Sequence, residues 1–357
     1  MDALHDGTAE SLESRMAQAV RMTAPGTSLR AALDMIVAGQ LGALICVGDT
    51  EGVLAAGNDG FPLDISFTAN RLFELSKMDG AIVVDKSLTQ ILRANFHLNP
   101  DPSLPTSETG MRHRTAARMS LLTDAMVISV SERRHIVTVF VGGKSYQLHS
   151  VPDLMTLASQ ILISMQTARQ SIDRQLLSLT SLELDNYVTM GDISSMLYLF
   201  EVLVSSSDKL KRYITQLGSQ GTIVELQRKE FLGDIDEEYT LFIRDYAADS
   251  SEENAKAIRA QLHEMAASQI QSPKSVANLL GYGDRAEDSI MVPLGLRTLS
   301  HISVVRRGMA EKIMDEFGTL QELIDVVEQN PDRLEELGVK NPEALVNSLY
   351  RMWGKRV

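Results

Sequence analysis

Asp79-Gly-Ala-Ile-Val-Val84 is the stretch from which the fold is read. Ala81 to Val84 is a short apolar run of the kind a buried strand shows. Before it, Thr68 to Lys77 has the pattern of a helix. Asp79 therefore closes a helix and opens a strand. A carboxylate at a strand edge can hold a hard cation such as Mg²⁺ or Mn²⁺. The glycine after it lets backbone approach a ligand closely. Taken alone, the tripeptide reads first as a turn.

Further apolar runs of the same kind flank it. Gly42-Ala-Leu-Ile-Cys-Val-Gly48 is bounded by glycines. Ala125 to Val130 is another, and Ile136 to Val141 follows it after the polar turn Ser131–His135. Gly142-Gly143 then makes a hairpin into Lys144–Leu148. A second helix fits Arg112 to Leu122. The expectation for residues 1–150 is an α/β domain, a mixed sheet with flanking helices.

The character of the chain changes after Pro152. No proline occurs between Pro152 and Pro273, and the stretch holds few glycines, so it reads as helical. Leu154, Leu157, Ile161 and Met165 recur at helical spacing, as do Met196, Phe200, Leu203 and Val204. The acidic stretch Glu230–Glu253 reads as solvated helix surface and loop. Pro273, Gly281, Gly283 and Pro293 mark a further boundary. Beyond it are short helix–turn–helix units, Leu299–Val304 into Arg306–Met314 and Leu334–Lys340 into Pro342–Met352. The expected organisation is 1–150 α/β, 151–285 an all-α spine, and 286–357 a domain of short helices. That fits the two to three domains expected of 357 residues.

Composition excludes several classes. With 44% hydrophobic and 23% charged residues the chain is globular rather than fibrous or disordered. The net charge of −13 argues against a protein that coats nucleic acid over its whole surface, while leaving room for a local basic site. One cysteine, Cys46, rules out an intrachain disulfide and a paired-cysteine zinc site. With no secretory pattern at the start and no long apolar span, the expectation is a soluble, cytoplasmic protein without membrane partners.

Arg112-His113-Arg114 follows the turn Thr109-Gly110. Consecutive residues do not share one helix face, so the cluster belongs at a loop-to-helix junction. Free backbone N–H groups at a helix start attract phosphate, and guanidinium groups beside them strengthen that attraction. The competing reading is a solvated basic cluster, which the helix dipole would oppose. Ser131-Glu-Arg-Arg134 reads as a hairpin turn. There is no Walker-type phosphate loop and no nucleophile elbow. Cys46 reads as core. His97, His135 and His149 show no metal-ligand spacing.

Together, Asp79-Gly-Ala81, Asn95-Phe-His-Leu-Asn-Pro-Asp-Pro102, Thr109-Gly110 and Arg112-His-Arg-Thr115 resemble the diadenylate cyclase family. The later segments resemble the branch of that family with a helical spine and a C-terminal helix-hairpin-helix domain. The resemblance implies that two ATP molecules become cyclic di-AMP and two pyrophosphates, between two subunits placed face to face. It implies Asp79 as metal ligand and aid to deprotonation of the 3′-hydroxyl, with Mg²⁺ or Mn²⁺ as cofactor. Arg112, His113 and Arg114 are implied as catalytic. Gly80, Ala81, Leu98, Thr109, Gly110, Thr115, Ser131 and Arg134 are implied as ATP-binding, with Leu98 near the adenine.

The resemblance further implies an octamer, and branched DNA such as Holliday junctions as a ligand that lowers activity. The C-terminal match is looser. Leu337-Gly-Val-Lys340 keeps Gly338 but has Lys340 where a second glycine is usual, and His301–Val304 has no glycine. Residues 286–357 hold nine Lys/Arg against twelve Asp/Glu. DNA contacts would therefore be local, at Arg306, Arg307, Lys340, Lys355 and Arg356. Two other readings remain: a branched-DNA-binding repair factor with an inactive nucleotide domain, and an oligomeric scaffold that binds nucleotide without turnover.

Overall fold

The structure is a computed structural model that describes residues 11–306, 308–330 and 332–353. Arg307, Lys355 and Arg356 lie outside them. The chain divides into two compact units. One takes in Met1–Ser159 with Lys211–Glu225, the other Gln160–Leu210 with Leu226–Val357.

The first unit is a mixed eight-stranded sheet between two layers of helices. In chain order its elements are α1 (Leu12–Met22), α2 (Ser28–Ala38), β1 (Ala43–Val47), α3 (Thr50–Ala55), β2 (Gly57–Asn58), β3 (Phe61–Ser66), α4 (Ala69–Leu75), β4 (Ala81–Val84), β5 (Gln90–Leu98), α5 (Met111–Leu122), β6 (Met126–Ser131), β7 (Ile136–Val141) and β8 (Lys144–Gln147). The strand order is β2-β5-β4-β1-β6-β7-β8, and β3 also pairs with β5. Only β1 and β4 run parallel; every other pair is antiparallel.

Strand alternation makes two cores. Ala43, Ile45 and Val47 face one way, with Ile128, Val130 and Val139, and pack under Leu29, Leu33 and Ile36 of α2. Leu44 and Cys46 face the other way, with Val83, Val127 and Phe140, and pack under Ala116, Ala117 and Met119 of α5. Side-chain caps start several of the helices. Ser11, Thr27 and Thr68 each accept a hydrogen bond from a backbone N–H in the first turn of α1, α2 and α4. Helix α5 is the exception. It follows Gly110, at φ +92, and has no side-chain cap and no acidic residue in its first turn.

The expected strands and the expected helix after Gly110 are present. Strands β2, β3 and β5 and helices α1–α3 are additional to that reading.

The remaining helices are α6 (Val151–Leu184), α7 (Met190–Leu217), α8 (Thr222–Leu232), α9 (Ile235–Tyr246), α10 (Glu252–Glu264), α11 (Ala267–Ile270), α12 (Pro273–Leu279), α13 (Leu296–Ser300), α14 (Met309–Phe317), α15 (Leu320–Gln329), α16 (Asp332–Glu336) and α17 (Pro342–Trp353). The periodic apolar positions of α7 are core: Met196, Phe200 and Leu203 are buried. A separate core joins Leu299, Ile313, Phe317, Leu323 and Leu349 with Leu184 of α6. No helix among the described residues is long and apolar enough to cross a membrane.

The acidic stretch 230–253 is exposed at most of its carboxylates, as expected, but one face of its helix α9 is core: Glu238, Tyr239, Phe242, Asp245 and Tyr246 are buried. Neighbouring groups in the second unit make this tolerable. Arg297 of α13, itself buried, bonds Glu183 at 2.6 Å, and Tyr246 donates to the other Glu183 oxygen at 2.8 Å. Asp245 accepts backbone N–H bonds from Leu296 and Arg297 at 2.7 and 3.0 Å. Removing one partner of such a buried set costs about 3–5 kcal/mol.

Glu238 faces His301 at 2.7 Å, and burial pushes its carboxyl up to about 7 against the pull of Arg297. The folded state therefore holds the Glu238 proton more tightly than the unfolded chain does. This contribution to stability is complete below the ordinary value of 4.5 and is lost as the pH rises through about 7. Glu238→Gln is expected to flatten the fall of the urea midpoint over that range. Asp245, also raised to about 7 by burial, retains part of the slope.

Candidate nucleotide-binding site

The parallel pairing of β1 with β4 brings two glycine-preceded strand starts side by side, Leu44 opposite Ala81. Strand β5 runs antiparallel to β4, with Phe96 opposite Ala81. Strand β6 runs antiparallel to β1, with Val130 opposite Ala43. The ends of β5 and β6 and the β6–β7 turn thus reach the edge where β1 and β4 begin. The N-terminus of α5 covers that edge.

A cleft of about 730 Å³ opens there. It is lined by Asp79, Gly80, Ala81, Leu98, Thr109, Gly110, Arg112, His113, Thr115, Ser131 and Arg134. Segments up to about fifty residues apart in sequence converge, as the motif reading expects. Arg114 does not join them. It is exposed and absent from the lining, because two residues along a helix turn the side chain to the opposite side.

Asp79 sits on a tightly held turn. Gly80 has φ +84, and a Cβ there would lie 2.8 Å from the Asn95 carbonyl carbon. Asn95 donates its side-chain N–H to the Asp79 carbonyl at 2.8 Å. The Asp79 carboxylate itself is 94% exposed, with the Arg112 guanidinium 4.0 Å away. Arg112 also stands 4.0 Å from Glu132. Both distances are at the outer limit of an ion pair, so the guanidinium is shared loosely and can be drawn to a more strongly charged ligand.

His113 is half-buried behind this opening. Its Nδ1 lies 3.2 Å from the Ser129 hydroxyl, and its ring meets the edge of Phe140 at 6.2 Å between centroids. Burial lowers its pKa; Glu108 raises it and Arg134 lowers it further. Burial and Arg134 thus favour the neutral imidazole. The 131–135 turn closes the cleft, with Arg134 N–H on Ser131 Oγ at 3.3 Å and His135 N–H on the Ser131 carbonyl at 2.9 Å. Sequence reasoning did not single out Leu44, Phe96, His97, Glu108, Met111, Val130, Glu132 or Arg133, which also line the cleft. Phe96, His97, Glu108, Met111, Glu132 and Arg133 adjoin or lie within the quoted motifs, which was signal enough. Among the described residues no group of three or more His, Cys, Asp or Glu could by itself hold a metal.

The sequence that builds this cleft matches a described family. The profile of the DisA bacterial checkpoint controller nucleotide-binding region matches residues 30–145, and that of its linker region matches residues 148–289. The chain belongs to the DisA family. The DNA integrity scanning protein DisA of Symbiobacterium thermophilum is 38% identical, over 94% of this chain and 95% of that protein. The proteins of the same name from Acetivibrio thermocellus and Bacillus subtilis are 33% and 31% identical, over 95% and 96% of this chain and 95% of each relative. The matched nucleotide-binding region contains the whole cleft.

Gly42, just before β1, is the seat of Arg112. A Cβ there would lie 2.9 Å from the guanidinium carbon and 3.4 Å from Glu132 Cβ. Gly42→Ala is expected to displace the guanidinium while leaving the fold, since the clash falls on the far end of a flexible side chain. ATP affinity should drop about 10- to 150-fold, the worth of one charge-assisted hydrogen bond. In an Arg112→Ala background the same change should add little. Isothermal titration of the four proteins checks this; full additivity would separate Gly42 from Arg112.

Proposed function

We propose that the chain is a diadenylate cyclase, a nucleotidyltransferase that condenses two ATP into cyclic di-AMP with release of two pyrophosphates. The observation that carries this is the convergence in one cleft of the uncapped N-terminus of α5, the cations Arg112 and Arg134, and the exposed carboxylate of Asp79. The first two neutralise a polyphosphate. The cleft offers no protein nucleophile paired with a base: the serine beside His113, Ser129, is fully buried. The nucleophile then belongs to the substrate. The 3′-oxygen of one nucleotide bonds to the α-phosphorus of the other, its proton passing by way of Asp79 to solvent, the bond from that phosphorus to the bridging oxygen breaks, and pyrophosphate leaves. A second such step closes the ring.

Catalysis is then positioning and charge neutralisation. Thr109, Gly110, Thr115 and Ser131 contact phosphates, Leu98 packs near the adenine, and Gly80 and Ala81 let the ligand come close. Two subunits must face each other, consistent with a homo-oligomer such as an octamer. Arg114 is exposed outside the cleft of its own chain.

The donor set suits Mg²⁺ or Mn²⁺. A single exposed carboxylate, with substrate phosphates and water completing the shell, is how such ions bind at nucleotide sites. The ion, held by Asp79 and the phosphates, would neutralise phosphate charge. Asp79 also stands ready to accept hydrogen bonding from the attacking hydroxyl. Asp79→Asn keeps the size and removes the charge. It is expected to abolish cyclic di-AMP formation with melting unchanged, in an assay of purified protein, ATP and Mg²⁺ or Mn²⁺ resolved by mass spectrometry. Wild-type-like turnover would remove Asp79 from the mechanism.

The short C-terminal helices are read as a helix-hairpin-helix domain that binds branched DNA and lowers cyclase activity. Two turns support this. Gly308, at φ +76, starts α14 beside exposed Arg306, and Gly338, at φ +90, lies two residues before exposed Lys340 and the start of α17. The first hairpin thus has its glycine at 308, beyond the His301–Val304 segment that lacks one. Backbone N–H groups at a helix start with a cation beside them contact phosphate and read shape rather than sequence. A family of DNA integrity scanning proteins and a single buried thiol agree with a reducing, cytoplasmic setting. Cutting the chain near Asp288 would remove Arg297 from buried Glu183, so point variants are the better test. Arg306→Ala with Lys340→Ala is expected to weaken binding of a four-way junction at low salt. It should flatten the salt dependence by about two units of log–log slope. Junction inhibition of synthesis, about 5- to 150-fold in the intact chain, should weaken with it. Unchanged junction binding would place the DNA site elsewhere.

A further inference from the structure

Ser129 interrupts an apolar strand. In β6 it shares a face with Ala125 and Val127, the face packed against α5, and it is fully buried. A small polar residue at such a position is a liability unless its hydroxyl is bonded. The hydroxyl has one side-chain partner among the described residues, His113 Nδ1 at 3.2 Å.

Two arrangements fit that distance. In one, the Ser129 O–H donates to a bare Nδ1. In the other, Nδ1–H donates to the hydroxyl oxygen, and the buried hydroxyl proton has no acceptor. Leaving a buried donor unmade is the costlier state. The first arrangement puts the ring proton on Nε2, on a residue that lines the cleft. The Phe140 ring beside the imidazole, at an interplanar angle of 81°, limits its rotation.

We propose that Ser129 is a positioning residue: its hydroxyl donates to His113 Nδ1, fixes the neutral Nε2–H tautomer, and so makes His113 a hydrogen-bond donor to a phosphate oxygen of the nucleotide in the cleft. The inference rests on reading the cleft as a nucleotide phosphate site. It goes further in giving a chemical role to a serine that never touches substrate. The groups acting on the ring are consistent with a neutral donor: burial and Arg134 from the β6–β7 turn oppose the imidazolium, and Glu108 from the loop before α5 favours it. A neutral N–H donor binds a phosphate oxygen without the desolvation cost of a full charge.

Nitrogen NMR of the full chain labelled in histidine tests this without substrate, with His113 assigned through His113→Gln. At about pH 8 the wild type is expected to show protonated Nε2 and bare Nδ1. Ser129→Ala should give a mixture of tautomers, and Ser129→Thr, which keeps the hydroxyl and suits a strand, should restore the single form. With ATP, Ser129→Ala should lower kcat/KM for cyclic di-AMP about 3- to 10-fold, the size of one neutral hydrogen bond, and Ser129→Thr should recover most of it. A protonated Nδ1 in the wild type would overturn the proposal. So would a tautomer indifferent to Ser129→Ala, even if melting falls, because that outcome is packing alone. Should the tautomers behave as expected while the wild type forms no cyclic di-AMP, the cyclase reading falls and the Ser129–His113 bond stands.

Discussion

The site depends on one register. Ala81 is paired with Leu44 on one side and Phe96 on the other, and Gly80 just ahead of it lies so close to the Asn95–Phe96 backbone that no side chain fits. This fixes the strand starts of β1 and β4 at one sheet edge. The ends of β5 and β6 are brought to the same edge by antiparallel pairing. A slip of one residue would turn Leu44 and Ala81 to the opposite face and carry Asp79 away from Arg112. The chemistry is thus set by backbone spacing before any functional side chain is chosen.

The second unit is held differently. Its core is apolar, but Glu183, Asp245 and Arg297 are sealed inside it with Tyr246 and Thr298 as bonding partners. Such a set is weak evidence for stability. It does tie α13, the entry to the C-terminal hairpins, to α6 and α9.

Much of the first unit was legible because its strands are apolar runs cut by glycine. Strand β5 was not: Arg93 and Asn95 break its pattern, Asn95 has φ +53, and its pairing with β4 shifts register. Only distant partners make it a strand. The two buried carboxyls of α9, Glu238 and Asp245, were not legible for a related reason, since the cation beside them, Arg297, lies about fifty residues further along. The motif residues converge as their spacing suggests, except Arg114, whose place depends on helix phase. Ser129 gave a faint signal, one hydroxyl in Met-Val-Ile-Ser-Val, which composition alone could not separate from a tolerated core serine.

Cys46 lies in β1, two residues beyond the pair that sets the register, and it is the chain's single thiol. Burial pushes its pKa up to about 12 and closes it to solvent. A thiol reagent can therefore react only when the strand leaves the sheet. The alkylation rate becomes a clock for the opening of the β1 ladder, unconfused by any other cysteine. It offers a direct view of how firmly the nucleotide-binding edge is held.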